Sequence, residues 1–212
     1  MSTKIQTKTP MKVKIFSPEN SVHLFKNYGR SSLKSKLVNK LELQRELKLT
    51  VSKETLLIGI STELTDAQHA SDLLEILKGS LSIGCQVIVR ACGTQKYQKI
   101  VEKLEEEYPS QLRVIQDSEK DMHRLYGAAD VSLFLVNNKH AKEERLHMMN
   151  FAVIPVSVIS DELDEYHAQE ESGNAFIIHA NSIWNIFEAV VRAKENYKFP
   201  YDWKNLQLTC MS

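Results

Sequence analysis

Residues 86–115 read QVIVRACGTQKYQKIVEKLEEEYPSQLRVI, and this stretch decides the fold. It begins and ends in short apolar runs, at 86–90 and 112–115, which are too short for independent helices. Their hydrophobicity is mostly continuous rather than alternating, as in strands buried on both faces. Between them an apolar stripe recurs at helical spacing, formed by Tyr97, Ile100, Val101, Leu104 and Tyr108. A strand, a helix and a strand in this order predict the right-handed βαβ unit of a parallel sheet.

The same alternation continues on both sides of this unit. Further strand-like runs lie at 56–60, 131–136, 153–159 and 175–178. Another helical stripe follows Ser182, which we expect to act as its N-cap. The chain is therefore predicted to be an α/β protein, with a Rossmann-like, doubly wound parallel sheet of about six strands and helices on both faces.

The composition excludes several classes of function. The 212 residues are 42% hydrophobic and 25% charged, which is typical of a soluble globular domain. The 27 basic and 27 acidic side chains cancel, which argues against a protein-wide footprint for nucleic acid. Only 7 residues are glycine, about half the usual frequency, and neither GxGxxG nor GxxxxGK(S/T) occurs. A P-loop and a dinucleotide-binding loop are therefore excluded.

The cysteines and the apolar runs indicate the compartment. Cys85, Cys92 and Cys210 are an odd number without a CxxC pair, so neither a disulfide framework nor a zinc finger is expected. We expect reduced thiols in a cytoplasmic protein. No apolar run approaches eighteen residues, and the N-terminal MSTKIQTKTP lacks the apolar core of a signal peptide, so we expect no membrane partner.

Charge divides the chain into two parts. Residues 1–40 carry nine basic side chains against Glu19 alone, a local charge of +8, so residues 41–212 carry −8. A basic arm could touch nucleic acid or anionic lipid, but this one lacks interleaved aromatics and a clear amphipathic period. We therefore predict a partly flexible, basic lead-in at 1–40, part of which packs on an acidic domain at 41–212, and no nucleic-acid partner.

In an open parallel sheet, ligands bind at the carboxyl ends of the strands, so the loops there are the places to search. His140, Glu144 and His147 are spaced to share one helix face and could ligate a metal, although a surface helix is the commoner reason for such spacing. Cys92 follows a predicted strand and could be a nucleophile, but a buried, inert thiol is commoner. The acidic run at 161–165 lacks calcium-loop spacing. We expect no metal and no cofactor.

A resemblance to a known family begins at residues 39–47, NKLELQREL. They resemble the NKxxLQxELGL segment of bacterial glycogen synthases and plant starch synthases, which opens the C-terminal, nucleotide-binding half of these two-domain GT-B glycosyltransferases. The likeness is strongest at 123–130, HRLYGAAD, which is close to the family's HxIYAGAD. It continues without a gap to Pro155, resumes near 173–178, and covers the chain from about Phe16 to the end. The resemblance implies one half of a GT-B fold.

The same register puts other residues at the family's donor-site positions. The family's phosphate-contacting arginine, in its IGxxxRLTxQKG stretch, falls on Glu63, and its partner lysine falls on Gln68 or His69. An aromatic residue near the nucleobase corresponds to Asp117. The replacements of the arginine and the lysine remove the positive charge that the two phosphates of a sugar nucleotide require.

The family's catalytic motif is altered as well. The active-site glutamate of its ExxGL motif falls on Lys139, and the glycine of that motif falls on Lys142. The following LT, whose backbone amides approach the phosphates at a helix start, becomes Glu143 and Glu144. We therefore expect two acids at this helix start, where they would repel phosphate.

The family's TGG loop becomes Ser160, Asp161 and Glu162. Glycines that would let the backbone approach phosphate have thus gained side chains. Together, these changes predict a catalytically inactive chain with weak or absent nucleotide-sugar binding, which serves in structure, interaction or regulation.

Two alternatives stay open. The first is the C-terminal half of an active glucosyltransferase that binds ADP-glucose or a similar donor and elongates an α-glucan when joined to its N-terminal half. Arg90, Lys139 and Lys142 would then meet the phosphates as residual anion contacts. The second is an unrelated ligand or partner site on the same scaffold.

Catalysis in the family takes place between two domains. The family's N-terminal half carries a glycine-rich KxGGL loop, which the 212 residues do not contain. The expected partners are therefore the protein's own N-terminal GT-B domain or a separate glycosyltransferase. Both a segment of a longer protein and a natural half are compatible with the sequence.

Overall fold

The structure, a computed structural model, describes residues 16–61, 70–180 and 182–211, with the backbone alone at 70 and 71. These ranges form a six-stranded sheet composed of β1 (Leu57–Ile60), β2 (Gln86–Arg90), β3 (Leu112–Ile115), β4 (Val131–Phe134), β5 (Ile154–Val158) and β6 (Phe176–Ile178). The strand order is β3-β2-β1-β4-β5-β6, and all neighbouring strands are parallel. The order reverses between β1 and β4, which is where a doubly wound sheet opens a crevice at its carboxyl edge.

Seven α-helices lie in the described ranges: α1 (Lys36–Glu46), α2 (Ala70–Ser82), α3 (Gln95–Glu107), α4 (Glu119–Ala128), α5 (Lys139–Asn150), α6 (Ile183–Tyr197) and α7 (Pro200–Cys210). The side chains of Ser118, Asn138 and Ser182 each accept a hydrogen bond from the backbone amide three residues later. The N-cap predicted at Ser182 is thereby confirmed. No helix of these ranges is both long enough and apolar enough to cross a bilayer.

Side chains of the strands alternate between two cores, one on each face of the sheet. Val87 and Val89 of β2 face the core that includes α2, α3 and α6, whereas Ile88 faces the core that includes α4 and α5. Because both faces are covered, the apolar runs are continuous, and the predicted α/β class is confirmed. Gly59 of β1 lets α4 pack closely, since a Cβ at this position would lie 3.0 Å from the Cβ of Ala129.

The segment before β1 packs against the helices of the second core. The boundary predicted between residues 40 and 41 falls inside α1, which is one continuous helix. Ser21 Oγ lies 2.8 Å from Nδ1 of His123, and the hydroxyl of Tyr28 donates to the carbonyl of Phe151 at 2.7 Å. These contacts join the described part of the basic segment to α4 and to the end of α5.

A buried ion pair joins α1 to the amino edge of the sheet, where the strands begin. Lys40 Nζ lies 2.6 Å from Oδ2 of Asp130 and also donates to the carbonyl of Thr55 at 2.6 Å. The same Asp130 oxygen accepts the backbone N–H of Leu57, the first residue of β1, at 2.8 Å. Asp130 directly precedes β4, so this one carboxylate ties together α1, β1 and β4.

Lys36 stabilises the ends of two helices at the same edge. Its ammonium group donates to the carbonyl oxygens of Tyr126 at 3.0 Å and Phe151 at 2.8 Å, at the C-terminal ends of α4 and α5. A positive charge is favourable at these positions because it meets unpaired carbonyls and the negative ends of the helix dipoles. Burial nevertheless lowers the pKa of Lys36 to about 7.

Candidate functional site

A pocket of about 490 Å³ lies at the carboxyl edge of the sheet, beside the crevice that the strand order creates. The loops after β2, β3 and β4 and the first turns of α5 form its wall. Its lining residues are Arg90, Ala91, Cys92, Gly93, Gln98, Asp117, Asn138, His140, Ala141 and Glu144. The pocket therefore brings together Arg90, Asp117 and Glu144, which are far apart in the sequence.

Glu144 is held in the pocket wall by neutral donors. The hydroxyls of Ser61, after β1, and Tyr126, on α4, both donate to its carboxylate. Burial raises the pKa of Tyr126, and the nearby carboxylate raises it further, so the phenol stays protonated and donates. The carboxylate of Glu144 is thus fixed by the protein itself.

Arg90 faces two carboxylates. Its Nη2 lies 3.7 Å from Oε1 of Glu144, and its Nε lies 3.7 Å from Oδ1 of Asp117. Nη2 also donates to the backbone carbonyl of Ser61 at 2.5 Å. Burial lowers the pKa of Arg90, but Glu144, Cys92 and Tyr126 together outweigh it and the net pKa is raised, so the guanidinium is firmly charged. The wall consequently presents one cation against two acids.

The two lysines predicted as residual anion contacts lie outside the pocket lining. Lys139 is 90% exposed, and its Nζ is 3.9 Å from Oε1 of Glu143. Lys142 Nζ is 3.3 Å from Oε2 of Glu162. Each of the three candidate contacts, Arg90 included, therefore has a carboxylate beside it.

Glu162 is neutralised by an arginine that the sequence analysis missed. Arg145 of α5 is fully buried, and its Nη2 and Nε donate to Oε1 of Glu162 at 2.5 and 2.9 Å. Ser160 also donates to Glu162, at 2.5 Å. Burial raises the pKa of Glu162, but the hydrogen bonds from Ser160 and Arg145 outweigh it and lower the pKa to about 2. The altered loop at 160–162 is therefore a closed ionic cluster.

A signal for Arg145 does exist in the sequence. Ala141, Arg145 and Met148 lie at helical spacings of four and three, and all three are buried. A single arginine in an otherwise apolar helix stripe indicates a buried charge that needs an acidic partner. The spacing does not identify that partner, because Glu162 lies in a loop beyond β5.

The expectation of two acids at a helix start is wrong. α5 begins at Lys139, with Asn138 as its N-cap, and its first turn contains no acidic residue. Glu143 and Glu144 consequently lie in the second turn, where Glu144 points into the pocket and Glu143 is exposed. The asparagine cap followed by good helix formers explains the earlier start.

Glu63, Gln68 and His69 lie outside the described residues. Asp161 is exposed and is not part of the pocket lining.

The surroundings of His147 and Cys92 do not favour the metal site and the nucleophile considered from the sequence. His147 packs edge to face on Phe16 with ring centroids 5.0 Å apart, away from His140 in the pocket. No group of three metal-ligating side chains occurs in the part of the chain that the structure describes. Burial raises the pKa of Cys92, whose thiol lies 3.4 Å from the carbonyl of Ser61, so the nucleophilic thiolate is disfavoured.

The architecture is that of one half of a GT-B glycosyltransferase fold. The structure matches the catalytic domain of starch synthase IV from Arabidopsis thaliana, bound to ADP and acarbose, with a TM-score of 0.76 and 21% identity over 92% of this chain and 42% of that chain. Anabaena HepE, in complex with UDP and glucose, matches with a TM-score of 0.59 and 11% identity over 82% of this chain and 46% of that chain. These likenesses establish the architecture.

Sequence comparison points to a narrower group. The glycogen synthase of Gloeobacter violaceus is 28% identical over 205 residues, which cover 93% of this chain and 44% of that protein. The glycogen synthase of Thermosipho melanesiensis is 25% identical over 197 residues, covering 90% and 41%. No protein-family model matches the chain. The chain is thus homologous to the C-terminal part of glycogen synthases, as the resemblance implied, and spans less than half the length of these relatives.

Proposed function

We propose that this chain is a non-catalytic, glycosyltransferase-like domain that serves α-glucan synthesis in the cytoplasm through structure, interaction or regulation. The observation that carries the proposal is the pairing of its charges at the carboxyl edge. Arg90 faces Asp117 and Glu144, and the candidate contacts Lys139 and Lys142 face Glu143 and Glu162.

The phosphates of a nucleoside diphosphate would be repelled by the acidic side chains of this pocket. Its phosphates would have to displace Asp117 and Glu144 from Arg90 or bind beside them. Like charges a few ångströms apart cost on the order of 1–4 kcal/mol at surface dielectric. Lys139, where the resembling family has its active-site glutamate, has no carboxylate for acid–base work. Both donor binding and catalysis are therefore disfavoured.

Calorimetric titration with ADP, UDP, ADP-glucose and UDP-glucose tests the proposal. We expect no binding tighter than about 100 μM. Replacing both pocket acids, Asp117→Asn with Glu144→Gln, removes the repulsion and leaves Arg90 unpaired, so affinity for ADP should rise by about tenfold or more. The matched control is Asp161→Asn, since it removes an exposed acid of the same edge that does not line the pocket, and it should change nothing. Micromolar binding of a sugar nucleotide to the unchanged chain overturns the proposal.

The alternative is the C-terminal half of an active glucosyltransferase, partnered by its own N-terminal domain or by another glycosyltransferase. One observation favours it, because the first turn of α5 opens onto the pocket without an acidic residue, as an anion site at a helix start requires. Radiolabelled glucose transfer from ADP-glucose to glycogen, with the chain joined to an N-terminal GT-B half, distinguishes the two. Transfer above the level of the N-terminal half alone supports the alternative, and its absence supports a non-catalytic domain.

A further inference from the structure

A second concave surface lies away from the carboxyl edge, between α2 and α6, and has a volume of about 580 Å³. We call it the aromatic groove. The side chains that matter for its chemistry are those of Glu75, Lys78, Tyr108, Trp184 and Phe187. None of them belongs to the site described above.

One wall of the groove is aromatic. Trp184 of α6 is 79% exposed, which is unusual for so large an apolar ring, and Phe187 lies one helical turn further along the same helix. Gly79 of α2 makes room for the ring of Phe187, because a Cβ there would lie 2.9 Å from it. Tyr108, directly after α3, adds a third ring. The backbone is thus shaped to present aromatic surface in a concavity.

The groove holds both paired and unpaired polar groups, and the Ser82 hydroxyl donates to the carbonyl of Gly79 at 2.7 Å. In the ranges that the structure describes, no hydrogen bond or ion pair occupies the carboxylate of Glu75, the ammonium of Lys78, the hydroxyl of Tyr108 or the indole N–H of Trp184. The pocket at the carboxyl edge is the opposite case, since its charges are paired with one another. Free donors and acceptors beside exposed rings are features of a ligand-binding surface rather than of a filled core.

We infer that the aromatic groove binds a carbohydrate. A pyranose ring offers an apolar C–H face that packs on an aromatic ring and a rim of hydroxyls that both donate and accept hydrogen bonds. Glu75 and Lys78 supply one acceptor and one donor with no net charge, which suits a neutral sugar better than a phosphate. The volume fits a short oligosaccharide. That this oligosaccharide is an α-glucan rests on the proposed function.

Electrophoresis of the whole chain in gels containing glycogen, and titration with maltoheptaose followed by tryptophan fluorescence, test the inference. Trp203 is 5% exposed, so a sugar-dependent change in fluorescence reports on Trp184. Trp184→Ala should weaken binding about tenfold, and Glu75→Gln by less, because a ring face is lost in the first and one hydrogen bond is weakened in the second. Tyr201→Ala is the matched control, since it removes an aromatic side chain that is 70% exposed outside the groove.

Retarded migration that Trp184→Ala abolishes and Tyr201→Ala preserves is the expected result. Absence of binding to both glycogen and maltoheptaose overturns the inference, and so does binding that Trp184→Ala leaves unchanged. Self-association that Trp184→Ala disrupts, seen by sedimentation without glucan binding, would instead identify the groove as a protein interface. Glucan binding tests the groove, and nucleotide titration tests the non-catalytic proposal. Each proposal can therefore fail without the other.

Discussion

The amino and carboxyl edges of the sheet both hold ionic groups, but these groups have different effects. At the amino edge, Lys40 and Asp130 join α1 to the beginnings of β1 and β4. At the carboxyl edge, Arg90 stands between Asp117 and Glu144 in the wall of an open pocket. The first arrangement holds the fold together, whereas in the second the one arginine or lysine among the described lining residues already faces two acids.

Burial explains why the edges differ. Lys40 and Asp130 are 2% and 8% exposed, and an unpaired charge at such a depth is costly. The side chain of Asp117 is 60% exposed, so water solvates its charge and the ion pair with Arg90 adds little stability. Substitutions at the amino edge are therefore limited by folding. At the carboxyl edge, the exposed Asp117 can be replaced, and the ligand chemistry thereby changed, while the scaffold remains intact.

Removing the amino-edge pair should have the largest effect. Lys40→Met leaves Asp130 buried without its partner and is expected to lower the free energy of unfolding by about 3–5 kcal/mol. Urea denaturation measures this change. Adding Asp130→Asn should recover part of the loss, because the stranded charge is then removed. Asp117→Asn is the carboxyl-edge comparison and should change stability by about 0.5 kcal/mol or less; equal losses at the two edges would contradict the comparison.

Replacing Lys36 should have the next largest effect, a change in how the free energy of unfolding depends on pH in the alkaline range. Burial lowers its pKa from 10.5 to about 7, so between these values the unfolded chain binds one more proton than the folded chain. The cost of burying the protonated side chain is therefore absent above 10.5 and reaches on the order of 4 kcal/mol as the pH falls to 7, so stability rises with pH over this range. Urea denaturation over this range should show that Lys36→Met removes the rise. The exposed Lys34, changed to Met, serves as the control and should preserve it.

At the carboxyl edge, Glu162 should have a smaller effect on the pH dependence of stability, and this effect lies in the acid range. The pKa of Glu162 is lowered from 4.5 to about 2, so its contribution is complete above 4.5 and is lost as the pH falls to 2. Because the site reaches solvent, we expect about 1–2 kcal/mol. Glu162→Gln should flatten this part of the stability curve, whereas Asp161→Asn at the exposed neighbouring position should not. A curve unchanged by Glu162→Gln would show that Arg145 does not stabilise the carboxylate.

The sheet could be predicted from the sequence because its signals are local. Strands covered on both faces give continuous apolar runs, and β2 and β3 occupy the residues that the pattern at 86–115 predicts. The serine before α6 is also a local signal. The ends of other strands were less accurate, since β4 stops at Phe134 rather than at Val136.

The candidate site could be predicted only as a list of positions. Register and loop position identified Arg90, Asp117 and Glu144, but no spacing indicates that their side chains meet. The pairing of Arg145 with Glu162 depends on how α5 lies beside the loop after β5, which is a tertiary contact. The family's motif places the start of α5 too late in the sequence. The local signal is Asn138, which caps the helix so that it begins at Lys139.

The ionic cluster around Glu162 has a consequence for how this domain can change over evolutionary time. Replacing Arg145 alone strands the acid, and replacing Glu162 alone strands a fully buried guanidinium. Each single replacement is therefore expected to destabilise the fold, whereas replacing both residues together avoids an unpaired buried charge. Other positions of the loop can therefore vary one at a time, whereas Arg145 and Glu162 have to change together.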